Sequence, residues 1–330
     1  MLNLALIGDV MLGRGVDAAL KQMQPADMWG DVLPHLLQAD LRIANLECAL
    51  TRHVQPWARS WKMFHFRADP TAVRCLQAAR IDACSLANNH ILDFDARGLH
   101  DTLRTLDTAG IRHAGAGLNY AAAAAPALIE VHGTSPCRVA LLSFTDNQPD
   151  FAASAQQPGT HYLEISLHAD TLARVAGAIT RARDLGADLV VFSNHWGANF
   201  VERPSPDFRR FAQRVIELGA DVYYGHSAHI CQGIEIHHGK PICYDTGDFI
   251  DDYAVDPLLR NDRSCLFRLR FDQGRLQRIE LIPVRLTVAQ VALARGEDFS
   301  AIATRMEGLC AALGTRLERQ ADRLVCTHPP

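Results

Sequence analysis

An α/β fold is predicted for this 330-residue chain by three features. Short apolar runs rich in Val, Ile, Leu and Tyr end on Gly, Asn or Asp, as buried strands do. Between them lie longer stretches with helical periodicity and recognisable start and stop residues. Late in the chain, two alternating runs flank "DQG", the mark of an antiparallel hairpin.

The strands are expected at 2–8 ("LNLALIG"), 41–47 ("LRIANLE"), 82–88 ("DACSLAN"), 138–144 ("RVALLSF"), 188–194 ("DLVVFSN"), 221–226 ("DVYYGH") and 241–247 ("PICYDTG"). Helices are expected at 69–80, where Asp-Pro is an N-cap followed by proline in the first turn, and at 97–110 and 205–219, both closed by glycine. The stretch 168–186 is the longest, and the alanines of 121–125 read as helical filler. The hairpin covers 264–286, and beyond Thr287 the pattern reads as an amphipathic helix packed on the outside. Without an internal repeat or a linker composition, 1–330 is expected to be one domain, with 287–330 a helical extension.

Composition narrows the function classes. Nearly half of the residues are apolar and a fifth are charged, as in a globular protein. A formal net charge of −4 argues against nucleic acid as a general partner. The nine cysteines form no CxxC pair and sit in apolar runs, so they are expected as buried thiols of a reducing compartment. The N-terminal run lacks a basic n-region and is broken by Asp9, and no window approaches a transmembrane helix. The expectation is a cytoplasmic protein without membrane or nucleic-acid partners.

Residues able to bind metal recur where strands stop. Asp9 follows the first strand, and Asn45 and Glu47 end the second. Asn88, Asn89 and His90 end the third, His195 follows "LVVFSN", and His226 and His229 lie in "GHSAH". In a parallel α/β sheet the carboxyl ends of strands share one edge, so these groups are expected to converge. Singly, each has a plainer reading: Glu47 as a cap, the asparagines as turn formers, His195 beside Trp196 as a core histidine. Oxygen and imidazole donors without thiolates suit Mn²⁺, Fe or Zn²⁺ rather than a closed structural zinc.

"GDVMLGR", "NLE", "ANNHILD", "NHWG", "GHSAHICQGIE" and "GKPICYDTGDF" occur in that order from Asp9 to about Phe249. This set resembles the CapA group, named for poly-γ-glutamate capsule synthesis, within the calcineurin-like metallophosphatase superfamily. The resemblance implies a four-layer α/β/β/α sandwich, with the late hairpin in the second sheet, and a pocket for two divalent metal ions. By matched position, Asp9 and His229 would bind one ion, Asn89, His195 and His226 the other, and Glu47 would bridge. His90 would lean toward substrate. Three departures stand out. Ser227-Ala228 is the spacer between the two histidines, Met11 replaces a histidine two residues after Asp9, and Gly247-Asp248-Phe249 stands where relatives commonly show GNF. Asp245, Asp248 and Asp251 could bind metal, repel an anion or orient an amine.

Two divalent ions sharing a water lower its pKa and aim it at a phosphorus ester. His90 could then give a proton to the leaving oxygen, with Asp93 either fixing its tautomer or lying on the surface. Arg14 and Lys62 are candidates for gripping a phosphate or carboxylate, whereas Arg67 and Arg203 read as solvated. Trp196 and Phe200 would wall the cleft or belong to the core. The expected function is therefore a metal-dependent hydrolase, phosphoesterase-like, with a small anionic or phosphorylated substrate. The alternatives are an accessory role in capsule polymer synthesis, disfavoured here because family members in that role are commonly membrane-anchored, and hydrolysis of an amide by the same site.

Overall fold

A computed structural model describes residues 1–132 and 136–327. Two large sheets face each other. In the first, the strands Leu2–Val10, Leu41–Leu46, Ala83–Ser85 and Arg112–Ala114 run parallel, in that spatial order. In the second, Cys137–Thr145, Leu189–His195, Val222–His226 and Lys240–Cys243 are parallel, with antiparallel edge strands Ala127–Val131 and Ile234–His237.

Side-chain parity explains the layers, because successive residues of a strand point to opposite faces. Leu2, Leu4, Leu6, Leu41 and Ile43 meet Val139, Leu141, Val191, Val222 and Tyr224 in the seam between the sheets. Their neighbours Ala5, Ile7, Ala44 and Leu46 pack outward against Trp29, Leu76, Leu99 and Leu106 of the flanking helices. On the far side, Leu142, Val190, Phe192 and Tyr223 pack against Val175 and Ile179 of helix Ala169–Asp184 and Phe211 and Val215 of helix Pro206–Glu217. Three apolar layers between four structural ones make the α/β/β/α sandwich. The helix signals hold locally: Asp69 and Ser205 accept backbone N–H groups as N-caps, and Gly110 closes Asp95–Ala109 in the left-handed conformation.

Three late features differ from the sequence expectations. The hairpin Arg263–Asp272/Arg275–Thr287 extends the first sheet, antiparallel to Leu2–Val10, and not the second. Phe267, Leu269 and Phe271 alternate into the seam there, so the hairpin widens the face that covers the second sheet. Residues 287–327 are not a helical appendage; the expected extension's last three residues lie outside the described ones. Gln290–Leu293 and Leu324–Thr327 add strands to the hairpin's second arm, because the alternating positions Val291, Leu324 and Cys326 have a sheet edge to join. Helix Gly296–Ala311 is not an outer layer either; it pushes Ile302, Ala303, Met306 and Cys310 into the inter-sheet core.

One irregularity aims the site. The first strand bulges between Ile7 and Asp9, so that Ile7 pairs with Ala44 but Asp9 with Asn45. The extra residue reverses parity. Ile7 and Val10 both stay on the helix side, and Asp9 turns into the seam. The bulge depends on Gly8, where any Cβ would overlap the Gly247 carbonyl oxygen that accepts the Asp9 N–H at 2.9 Å. Just below it, the Tyr224 hydroxyl of the second sheet donates to the Ile7 carbonyl of the first. Gly8→Ala is expected to destabilise by ~3 kcal/mol through this backbone overlap. Tyr224→Phe should cost ~1–3 kcal/mol by leaving a buried carbonyl unpaired. Urea unfolding of the two variants measures both.

Candidate metal centre

The C-terminal ends of five strands supply the pocket, and all six expected ligand side chains reach it. Asp9 directs Oδ1 toward His226 Nδ1 (3.8 Å) and Oδ2 toward His229 Nδ1 (3.6 Å). Glu47 Oε1 lies 3.9 Å from His195 Nε2 and 3.8 Å from His90 Nε2. Asn89 Oδ1 is 3.1 Å from His195 Nε2, and the Nδ1 atoms of His195 and His226 face each other at 2.9 Å. Two donor groups result. Asp9, His195 and His226 form one; Asp9, Glu47, His229 and Asp248 form the other, each with donor atoms within 4.8 Å of one another. Asp9 thus belongs to both, sharing the middle position expected of Glu47 alone.

Several side chains outside the donor groups hold them. Asn45 donates to Asp9 Oδ1 (2.8 Å), and Asn88 donates to Asn45 Oδ1 (3.1 Å) and to the Leu46 carbonyl (2.8 Å). Asn88 is therefore a brace between strand ends, while Asn89 presents its amide oxygen. Ser193 meets His226 Nε2 at 2.8 Å, which leaves Nδ1 for the pocket. Backbone strain is present in "GHSAH": Ser227 has φ 118° and His229 φ 62°. Asp245 clamps that loop by accepting the Ala228 and Gly247 N–H groups, each at 2.8 Å.

His90 sits at the mouth. Its Nδ1 is 2.6 Å from Asp93 Oδ2, and its ring stacks on Phe66 with centroids 4.0 Å apart. Asp93 is buried and also accepts the Phe66 N–H (2.6 Å), so it is an anchor for the ring and not a surface residue. Arg14 lies over the far face of this stack, 5.3 Å from the Phe66 centroid, and is paired with Asp252 at 3.1 Å.

Two expected substrate contacts are placed differently. The Lys62 side chain is buried, with its ammonium 3.2 Å from Asp93 Oδ1 and donating to the Asn89 carbonyl; its charge is committed to the turn that carries Asn89 and His90. Trp196 follows His195 and so points to the opposite face. Its indole N–H donates to the Tyr244 carbonyl and its ring stacks on Phe208, on the helix side of the second sheet. Phe200 is partly exposed, 5.9 Å from the His229 ring. All nine cysteines are free thiols, buried except for half-exposed Cys137.

The sequence reading did not single out Tyr253, whose hydroxyl approaches Glu47 Oε2 at 3.4 Å, and left Asp248 without a role. Asp248 Oδ1 lies 2.8 Å from His229 Nδ1. The one signal for it was the acid spacing 245, 248, 251, which does not say which of the three turns inward. Asp251 accepts the Tyr253 N–H and stays outside the donor groups.

A family model described as bacterial capsule synthesis protein PGA_cap matches residues 3–253. The chain belongs to that family. Over 369 aligned residues it is 31% identical to a Mycobacterium tuberculosis H37Rv protein named a probable polyglutamine synthesis accessory protein, covering 100% of this chain and 96% of the relative. It is 30% identical to the capsule biosynthesis protein CapA of Bacillus anthracis over 287 residues, 86% of this chain and 67% of the relative. Among solved structures, the protein TT1561 of Thermus thermophilus superposes with a TM-score of 0.43 at 12% identity, covering 84% and 97% of the two chains. The sulfate thiohydrolase SoxB of Thermus thermophilus does so at 0.42 and 14%, covering 89% and 46%. At such scores the superpositions add nothing to the layer order read from the sheets. No helix among the described residues is long and apolar enough to cross a membrane.

The electrostatics of this PGA_cap pocket suit a divalent cation. Asp9 Oδ2, Glu47 Oε1 and Asp248 Oδ2 are buried without a hydrogen-bond partner. Burial pushes Asp9 up to about 7, with Asp248 adding and His229 opposing, and pushes Glu47 well above the usual carboxylate range. Burial also holds His226 down to about 3 and His195 well below the ordinary histidine value, so both imidazoles are neutral donors. Orphaned carboxylates beside neutral imidazoles form a donor set that suits a divalent metal ion, and bound cations would hold the acids ionised.

A pH dependence follows for the metal-free protein. Burial raises Asp245 to about 7 and Asp251 to about 8, alongside Asp9. Acids raised in the folded state favour folding fully below their unfolded values near 3.8, and that contribution is lost as pH rises toward 8. Chelator-treated protein should therefore melt at progressively lower temperature from pH 7 to pH 8, above the range in which the buried histidines, held low in the folded state, oppose the trend. Added Mn²⁺ should raise the midpoint most at the alkaline end, which a calorimetric pH series checks.

Proposed function

We propose that the protein is a metal-dependent hydrolase that cleaves a phosphoester with two divalent cations in the pocket. The observation that carries this reading is the meeting of Asp9, Glu47, Asn89, His195, His226 and His229 around one space, with His90 Nε2 3.8 Å from Glu47 Oε1. When bound, such cations would polarise the phosphoryl oxygens and lower the pKa of a water.

The chain's own groups do the rest. Asp93 accepts from Nδ1–H of His90 and leaves Nε2 facing the substrate. Burial lowers the His90 pKa while Asp93 opposes it, and in the imidazolium form Nε2–H gives its proton to the leaving oxygen, leaving the neutral ring bonded to Asp93. Phe66 fixes the ring plane. Arg14, carried on the same aromatic stack, offers a guanidinium to an anionic group of the substrate. Lys62 acts indirectly, by tying Asp93 to the Asn89 carbonyl. The reading also includes a cytoplasmic site of action and a small anionic substrate.

A second reading is favoured by the names of the relatives, a polyglutamine synthesis accessory protein and a capsule biosynthesis protein. In it the same pocket serves assembly of a glutamyl polymer, cutting an amide or holding a chain end. The two readings are separable. Purified protein with Mn²⁺ is expected to turn over an aryl phosphate mono- or diester, with activity abolished by chelator and by His195→Ala. His90→Ala should lower kcat by ~10²–10⁴-fold while leaving bound metal unchanged. Bound metal with no phosphoester turnover, together with cleavage of a γ-glutamyl amide, would replace the first reading by the second.

A further inference from the structure

The family resemblance would put a histidine at position 11, where this chain has methionine. Met11 is buried on the helix side of the first sheet, and its Sδ accepts the Gly13 N–H at 3.0 Å, so it offers nothing to the pocket. The adjacent strand Asp248–Ile250 runs parallel to Leu2–Val10 with Asp248 paired in register to Asp9. That pairing sets a carboxylate beside Asp9 from a different part of the chain. Its Oδ1 meets His229, its Oδ2 is buried without a hydrogen-bond partner, and one of the two lies within 4.8 Å of donor atoms of Asp9, Glu47 and His229.

We propose that Asp248 is a metal ligand that takes over the place vacated at position 11, and that the half of the pocket it completes selects a hard divalent cation, Mn²⁺ or Mg²⁺. The inference rests on the two-cation reading above. Its second part follows from donor chemistry. This half holds three carboxylates and one imidazole, whereas the other holds two imidazoles beside the shared Asp9. Oxygen-rich sets favour hard ions, and imidazole-rich sets favour Zn²⁺ or Fe²⁺. The competing role for Asp248 is to orient the His229 ring through the 2.8 Å contact alone. A pure orienting role needs only the contact with His229, and not a donor atom within 4.8 Å of those of Asp9 and Glu47 as well.

The test uses full-length protein stripped by chelator and titrated with Mn²⁺, with free ion read by electron spin resonance and total metal by mass spectrometry. Wild type is expected to bind two equivalents, and Asp248→Asn one at the Mn²⁺ concentration that saturates wild type. Asp251→Asn should keep both. Competition with Zn²⁺ should displace one equivalent from wild type well before the other, and His226→Ala should lose the readily displaced one. The metal-free Asp248→Asn protein should melt above metal-free wild type, because one of three crowded carboxylates is gone while the amide oxygen still reaches His229. Two equivalents in Asp248→Asn, or a metal-free melting point below wild type, would overturn the assignment and leave an orienting role. Indistinguishable displacement of the two wild-type equivalents would overturn the hard-ion selectivity. No metal in wild type at any concentration would instead remove the two-cation reading itself.

Discussion

Uncompensated negative charge in an apolar seam is the constraint on which this molecule turns. Asp9, Glu47 and Asp248 are all buried, and each leaves an oxygen without a hydrogen-bond donor. Lys62, whose charge bears on Glu47, is already committed to Asp93. Burying ionised carboxylates without partners is costly, so such a cluster persists only where something outside the chain satisfies it or where the acids hold protons. The surrounding imidazoles are kept neutral by the same desolvation, and neutral imidazole is the form that donates a lone pair. One physical cause thus prepares both kinds of donor.

The scaffold holds that cluster by making strand ends rigid. Apart from Asp248, whose strand pairs only with Leu2–Val10, each donor sits at or just after a strand that is hydrogen-bonded on both sides within its sheet, and the two sheets are tied at the pocket floor by Tyr224. The bulge at Gly8 converts an ordinary strand residue into an inward-facing acid. Where the loops leave regular structure, carboxylates bond backbone N–H groups: Asp245 for the histidine loop and Asp93 for the segment that carries Phe66. The strained residues Ser227 and His229 are held by these bonds rather than by favourable backbone conformation.

A division of labour separates the pocket's floor from its rim. The floor is built from both sheets and is fully buried. The rim is built from Arg14, Phe66, His90 and Tyr253, which stack on one another and bring a guanidinium and an imidazole edge to the opening.

The sequence by itself determined the α/β class and the polar side chains at strand ends, because each of these is a local pattern: an apolar run, a stop residue, a polar side chain at the stop. The choice of six among them as metal donors came from the resemblance of the ordered motifs. It also identified His90 and its partner Asp93, three residues apart in one turn. Only the tertiary structure decided that the late hairpin joins the first sheet, that the C-terminal segment completes that sheet and caps the seam, that Trp196 packs on the helix side and that Lys62 is committed to Asp93. These depend on which edge a strand finds and which face a residue takes, and parity along a strand is invisible once a bulge such as that at Gly8 intervenes. The position of Asp248 beside Asp9, 239 residues earlier in the chain, is a register between two strands, and no local pattern encodes a register.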